Sequence, residues 1–247
     1  MRTAGRKLAE VVARLREVLA VDMPTKELDR LSEDAILAAG AKPAFKGYRV
    51  GRAVFPATLC VSINEQVVHG IPGKRRIAEG DLVSLDFGLV YGGYYVDTAF
   101  SVVMPPGDER TQHLLDVTEA ALYAGAARAR PGARIGDIGH AIQSGCESKG
   151  FGVVTQFVGH GIGRRLHEEP SVPNFGKAGT GPLLKAGMVL AIEPMITLGS
   201  PRTKILADEW TVVTEDGSRA AHFEHTVSIT PTGAEVLTTL DPVPTIR

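Results

Sequence analysis

Apolar positions in the first twenty residues recur every three to four places. Leu8, Val11, Val12, Leu15 and Leu19 share one helical face, with Arg and Lys interspersed throughout. That spacing predicts an amphipathic helix, and a second helix is expected from a cap at Thr25 to Gly40. From about Ala57 to Val103 the chain reads as strands punctuated by Gly and Pro turns. Helical spacing returns near Thr111 to Arg130, breaks at Pro131-Gly132 and resumes to Gly150. A second strand-rich stretch follows, so the order reads two helices and strands, then the same again.

A local match supports an internal duplication. IAEGDLVSLD (77–86) aligns with LKAGMVLAIE (184–193): Gly80 matches Gly187, an apolar strand follows each, and a carboxylate, Asp86 or Glu193, ends each. A charge at the end of an apolar strand is expensive to bury unless something pairs with it.

Composition narrows the class without naming it. A chain of 247 residues with 44% hydrophobic and 22% charged side chains is ordinary globular protein with enough length for a substantial core. Basic and acidic side chains balance, 27 against 28, so no global field holds nucleic acid or an acidic membrane. The run Lys74-Arg75-Arg76 reads as a solvated loop. Cys60 and Cys146 are the two cysteines and show no C-x-x-C spacing, which argues against disulfides or a thiolate zinc site and fits a reducing cytoplasm. No stretch approaches the ~18 apolar residues of a membrane span, so neither anchor nor signal peptide is expected.

The carboxylates change the picture. LDFGLVYGGYYVDTAF (85–100) reads as a β-hairpin turning at Tyr91-Gly92-Gly93. A turn at Tyr91-Gly92 would oppose Asp86 and Asp97 directly, a turn at Gly92-Gly93 would make them diagonal neighbours on one face, and a three-residue loop would separate their faces. Taken alone, an Asp beside a Gly turn reads equally well as a turn residue. Glu193 ends VLAIE, however, and Glu224 lies in AHFEHTVSIT, where alternation again reads as strand. In VGHGIGRRLHEEP (158–170), neither the zincin H-E-x-x-H nor the dinucleotide G-x-G-x-x-G spacing is met, so the meaning of His160 and His167 has to come from the rest of the sequence. A lone His160 more often reads as a hydrogen-bonded structural histidine, but after the apolar stretch FGVVTQFVG it becomes a candidate fifth member of the set. The glycines between the two histidines would let the backbone turn sharply. Four carboxylates and His160 form an oxygen-rich set suited to two divalent ions such as Mn²⁺, Fe²⁺ or Co²⁺ rather than a lone Zn²⁺. Two such ions would share bridging carboxylates and a water that ionises near neutral pH, which is hydrolytic chemistry.

In order and interval, DFG with Asp86, VDTAF with Asp97, GHGIGRRLHEEP with His160, AIEP with Glu193 and FEHT with Glu224 resemble the five metal-ligand motifs of type I methionine aminopeptidases. The resemblance spans nearly the whole chain. It implies an α+β pita-bread fold, here one catalytic domain over 1–247 with pseudo-symmetric halves near 1–105 and 106–247. It also implies removal of initiator methionine from nascent polypeptides with a small second residue, by a monomeric cytoplasmic enzyme working at the ribosome. Asp86 would bind one ion, His160 and Glu193 the other, with Asp97 and Glu224 as bridges and Glu193 also shuttling a proton. His69 and His167 would face the substrate. The methionine pocket would comprise Phe45, Tyr48, Cys60 and Trp210. The chain departs from the usual pattern at FKGY (45–48), in a longer 49–57 segment, and at Leu166, where an aromatic is common.

Two rivals share the fold. Proline-specific peptidases of the prolidase or aminopeptidase P kind usually carry a sizeable N-terminal domain, whereas about forty helical residues precede the strands here. A catalytically silent binding protein would typically have lost ligands, and all five are present. The short interval from Glu193 to Glu224 leaves no room for the helical insertion of type II enzymes.

Overall fold

The computed structural model describes residues 1–240; residues 241–247 of the expected domain lie outside the described residues. The chain opens with α1 (Arg2–Val18) and α2 (Thr25–Ala38). Three two-residue strands follow, β1 (Lys42–Pro43), β2 (Arg49–Val50) and β3 (Ala53–Val54), then β4 (Leu59–Ile63), β5 (Gln66–Val68), β6 (Leu82–Tyr91) and β7 (Tyr94–Val103). Next come α3 (Glu109–Ala126), α4 (Ile135–Glu147), β8 (Gly152–Val153), β9 (Gly159–Gly161), β10 (Glu168–Val172) and β11 (Val189–Ile192). The last strands are β12 (Met195–Thr197), β13 (Thr203–Ile205), β14 (Val212–Thr214), β15 (Ala220–His222), β16 (Glu224–Thr230) and β17 (Gly233–Val236).

Leu8, Val11 and Leu15 bury the apolar stripe of α1 in the main core, against Leu82, Leu85 and Phe100 of the β6–β7 hairpin. The second helix begins at Thr25, but the hydroxyl of Thr25 does not cap it. It accepts from the Gly73 N–H at 2.8 Å and donates to the Gly73 carbonyl at 3.2 Å, tying the helix to the connection between β5 and β6. Helix α3 starts two residues before the expected Thr111, because Asp108 accepts from the Thr111 N–H at 2.8 Å and caps it. It stops at Ala126 rather than Arg130, and α4 stops at Glu147 rather than Gly150, each ending in turns. Arg75 and Arg76 of the basic run pair with Asp81 and Asp22 at 3.9 and 3.2 Å.

A nine-stranded antiparallel sheet positions the site. Its main path runs β1-β6-β7-β16-β11-β9-β10, with β4 also paired to β6 and β17 to β16. The β6–β7 hairpin turns at Gly92-Gly93, both at positive φ (60° and 76°), as a two-residue primed turn requires. The register therefore opposes Asp86 to Ala99 and Gly88 to Asp97, making the two aspartates diagonal neighbours on one face. The two aligned glycines act alike. Gly80 (φ 73°) donates to the carbonyl of Met104 just past β7, and Gly187 (φ 95°) donates to Ile229 of β16. Their acids differ: Glu193 directly follows β11, whereas Asp86 lies mid-strand, because buried Phe87 and Leu89 carry β6 on through the core to Tyr91.

Candidate metal centre

Every expected site residue lines one cavity of about 260 Å³, whose floor is acidic and whose wall is apolar. The floor comes from the sheet. Asp86 and Asp97 project from β6 and β7, Glu224 opens β16, Glu193 follows β11, and His160 is the middle residue of β9. Short backbone links hold these strands in register. Thr226 Oγ accepts from the Asp97 N–H at 2.9 Å and donates to the Asp97 carbonyl at 2.7 Å, while Thr98 Oγ donates to the Glu224 carbonyl at 2.6 Å.

Of the two glycines between the histidines, Gly163 lies in the bend 163–167, whereas Gly161 works through close approach rather than through a turn, which corrects the sequence expectation for it; Gly159, before His160, is approached as closely. A Cβ on Gly159 would lie 2.3 Å from the Ala191 carbonyl oxygen, and one on Gly161 the same distance from that of Glu169. Only glycine lets β9 fit so closely between β10 and β11. The Gly88 of DFG has a similar reason, since a Cβ there would meet the Phe45 ring at 2.5 Å.

Electrostatically the floor is a cluster in want of cations. Burial pushes Asp86 up to about 7, and burial followed by the neighbouring acids raises Asp97, Glu193 and Glu224 well above the usual carboxylate range. Asp86 Oδ1 and Asp97 Oδ1 are buried and have no hydrogen-bond partner. Donor atoms of Asp97, His160 and Glu224 lie within 4.8 Å of one another. His160 Nδ1 donates to its neighbour's carbonyl, Gly161 O, at 2.9 Å, which leaves Nε2 bare and 3.6 Å from Glu193 Oε1. Unpartnered buried oxygens converging with a bare imidazole nitrogen fit divalent metal ions.

The wall is built mostly from loops, with Cys60 on β4 and Val50 on β2 as exceptions. Phe55 stands edge-on to Trp210 (centroids 5.2 Å apart) and to Phe45 (6.5 Å). Burial raises the Cys60 thiol well above its usual range, keeping it neutral. Asp208 accepts from the backbone N–H groups of Trp210 and Thr211 at 2.9 and 2.8 Å and so presents the indole. At the rim, Tyr48 Oη lies 2.6 Å from His167 Nδ1, and the His167 and His160 rings are 4.3 Å apart. His69 adopts φ 59°, unusual outside glycine, with Trp210 and Phe157 beside it; burial, then His167, pushes its pKa down to about 4.

Sequence reasoning missed several neighbours. Phe55 and Val50 line the wall from the long 49–57 segment, where no periodicity announced them. Asn174 donates to the Glu193 carbonyl at 2.9 Å, and His222 Nε2 lies 3.7 Å from Glu193 Oε2. Strand alternation around Glu224 could have found His222, two places before it.

Residues 1–231 match the metallopeptidase family M24. The chain belongs to that family. This metallopeptidase is 48% identical over 238 residues to methionine aminopeptidase 1 of Bacillus subtilis, covering 96% of this chain and 94% of the relative. With the methionine aminopeptidase of Clostridium perfringens the identity is 48%, at the same coverage. A crystal structure of the methionine aminopeptidase from Thermotoga maritima superposes with a TM-score of 0.93 at 45% identity, covering 97% of this chain and 95% of that one. Prolidase from Pyrococcus furiosus shares the fold at a TM-score of 0.76 and 22% identity, with this chain covering 63% of its length. The M24 chain thus has the α+β pita-bread fold expected from its motifs, and as a metallopeptidase it works with divalent metal.

Proposed function

We propose that this M24 peptidase removes the N-terminal methionine of nascent polypeptides whose second residue is small. The observation that carries the reading is one cavity with His160 and four carboxylates on its floor, Asp97 and Glu224 buried and Asp86 and Glu193 half-buried, facing an apolar wall. Near-full-length similarity to methionine aminopeptidases supports it. Asp86 would hold one divalent ion, His160 and Glu193 a second, with Asp97 and Glu224 bridging; Co²⁺, Mn²⁺ and Fe²⁺ all suit such donors. The chain would act as a single catalytic domain, as a monomer, on N-termini met at the ribosome. Both cysteines are free and buried, in keeping with a reducing cytoplasm, and among the described residues no helix is long and apolar enough to cross a membrane.

Bound divalent ions supply Lewis acidity for the scissile carbonyl and make a water available as hydroxide near neutral pH. The protein does the rest. Phe45, Phe55 and Trp210 take the methionine side chain and exclude bulk water, which strengthens every polar contact inside. The Glu193 carboxylate receives a proton from the attacking water and delivers it to the leaving amine. Tyr48 Oη lies 2.6 Å from Nδ1 of His167; with the hydroxyl as donor, the ring's proton would sit on Nε2 and could donate to the developing oxyanion. His69, kept neutral by its surroundings, offers a second donor from the other side.

A site enclosed by metal floor and rim histidines leaves little width beyond the cleaved bond. Metal-reconstituted protein should turn over Met-Ala-Ser, leave Met-Lys and Met-Leu peptides nearly untouched, and ignore an Ala-Pro peptide. Preferential cleavage of Ala-Pro would replace this reading with proline-specific peptidase activity.

A further inference from the structure

Glu193 lies between two imidazoles. Its Oε1 is 3.6 Å from His160 Nε2 and its Oε2 is 3.7 Å from His222 Nε2. His160 faces the cavity, whereas His222 is not among its lining residues and reaches Glu193 from behind, on the last residue of β15. The ring is almost wholly enclosed at 2% exposure, and its Nε2 is a buried polar atom with no hydrogen-bond partner. Leaving such an atom unpaired costs about 1–3 kcal/mol, and Glu193 Oε2, 3.7 Å away, is an acceptor that a small side-chain shift brings within reach. The backbone behind the ring is fixed as well. Ser101 Oγ accepts from the His222 N–H at 2.9 Å and donates to the His222 carbonyl at 2.8 Å, so the imidazole is aimed from a rigid strand.

We propose that His222 is a positioning residue for Glu193, its Nε2–H holding Oε2 so that Oε1 stays with His160 on the metal side. This rests on the reading of Glu193 as a metal ligand and proton carrier. A carboxylate that must both ligate and move a proton has to keep its two oxygens in distinct roles. A single donor behind one oxygen does that. Asn174, donating to the Glu193 main-chain carbonyl at 2.9 Å, fixes the backbone but leaves the carboxylate free to rotate. Among the described residues, His222 is the cavity's back-side group within reach of Oε2.

The test compares Mn²⁺ titrations and Met-Ala-Ser kinetics of wild type, His222→Leu, His222→Gln and Glu193→Gln. His222→Leu should weaken Mn²⁺ binding and lower kcat by roughly 10- to 100-fold, the scale for losing a group that orients a ligand, with KM unchanged. His222→Gln, which keeps an N–H donor, should recover most of both. Equal impairment of the Leu and Gln variants would make the ring a packing residue and overturn the proposal, as would wild-type behaviour of His222→Leu. Should His222→Leu fail to fold, nitrogen NMR of Zn²⁺-loaded wild type decides: a proton on His222 Nε2 supports the proposal, and a bare Nε2 overturns it. Failure of the metal reading shows separately, as a Glu193→Gln variant that binds Mn²⁺ like wild type.

Discussion

The cavity's floor and its wall are built by opposite means. Asp86, Asp97, His160 and Glu224 stand on strands of the nine-stranded sheet, and Glu193 directly follows one. The wall hangs mostly on connections: Phe45 and Tyr48 precede the two-residue strand β2, Phe55 follows β3, Leu166 lies between β9 and β10, and Trp210 sits before β14, while Cys60 on β4 and Val50 on β2 come from strands. Sheet register fixes atoms to a fraction of an ångström, which metal geometry needs, whereas loops can change length without disturbing the strands. On the proposed function, the four-carboxylate floor would set the chemistry and the wall would set which side chain enters. Damage to the floor should appear in metal affinity and kcat, and damage to the wall in KM.

The largest expected effect is on the floor. Asp97→Asn puts a neutral amide where a shared carboxylate is proposed, and activity should fall to background with metal affinity reduced. Wild-type turnover at unchanged metal content would remove Asp97 from the centre. Next comes the pair that straddles the boundary. His160→Ala should lose metal affinity together with rate. His167→Ala should keep near wild-type metal content while kcat falls ~10²-fold, the scale of one lost oxyanion donor. Equal metal loss on calorimetry would make both rings ligands and erase the division drawn here.

The floor was legible because it is ionic. Carboxylates at the ends or in the middle of apolar strands contradict the local pattern, and each contradiction marks a residue whose burial something must compensate. Asp86 and Glu193 stood out in that way, Asp97 through the hairpin and Glu224 through strand alternation, although an Asp beside the Gly turn read equally well as a turn residue and the hairpin's turn type stayed open until register was visible. The wall was legible only through resemblance, since Phe45 or Trp210 reads as ordinary core without it. Phe55 and Val50 carry no such contradiction and sit in the segment where the chain departs from the usual spacing. Gly161 was noticed for flexibility, but it is needed, like Gly159, for close approach to carbonyls at Glu169 and Ala191 outside its own strand, which a one-dimensional pattern does not contain.

Removing metal sharpens the contrast through stability. In the metal-free protein burial holds Asp86 up to about 7, against about 3.9 for an unfolded aspartate. Between those values the folded state binds more protons than the unfolded one, so stability falls as pH rises. The chelated protein should melt progressively lower from about pH 4 to 7, and Mn²⁺ should raise Tm more at pH 7.5 than at pH 5. A pH-independent gap between apo and Mn²⁺-loaded Tm would show that the acids are not what the metal relieves. On the wall, Phe55→Leu should raise KM for methionyl peptides by up to ~10-fold, in line with the roughly 0.5–1.5 kcal/mol of an aromatic contact, with kcat and metal affinity kept. A fall in kcat at constant KM would place Phe55 in the floor's business.

The smallest effect tests whether the boundary is sharp. Tyr48 belongs to the wall by position, yet its hydroxyl lies 2.6 Å from Nδ1 of His167, and its ring meets the imidazole at a tilted edge with centroids 5.1 Å apart. Tyr48→Phe removes the hydroxyl and keeps the ring. If the wall only shapes the pocket, KM should rise and kcat should stand. If the hydroxyl selects the His167 tautomer, kcat should fall about five- to tenfold, the worth of one hydrogen bond near 1 kcal/mol, with KM and metal content unchanged. The loss stays modest because the ring can still find the productive tautomer without help. We expect the second pattern, since a donor at that distance claims the Nδ1 lone pair and leaves Nε2 as the proton-bearing atom. A KM effect alone would return Tyr48 to the wall and leave His167 oriented by its loop.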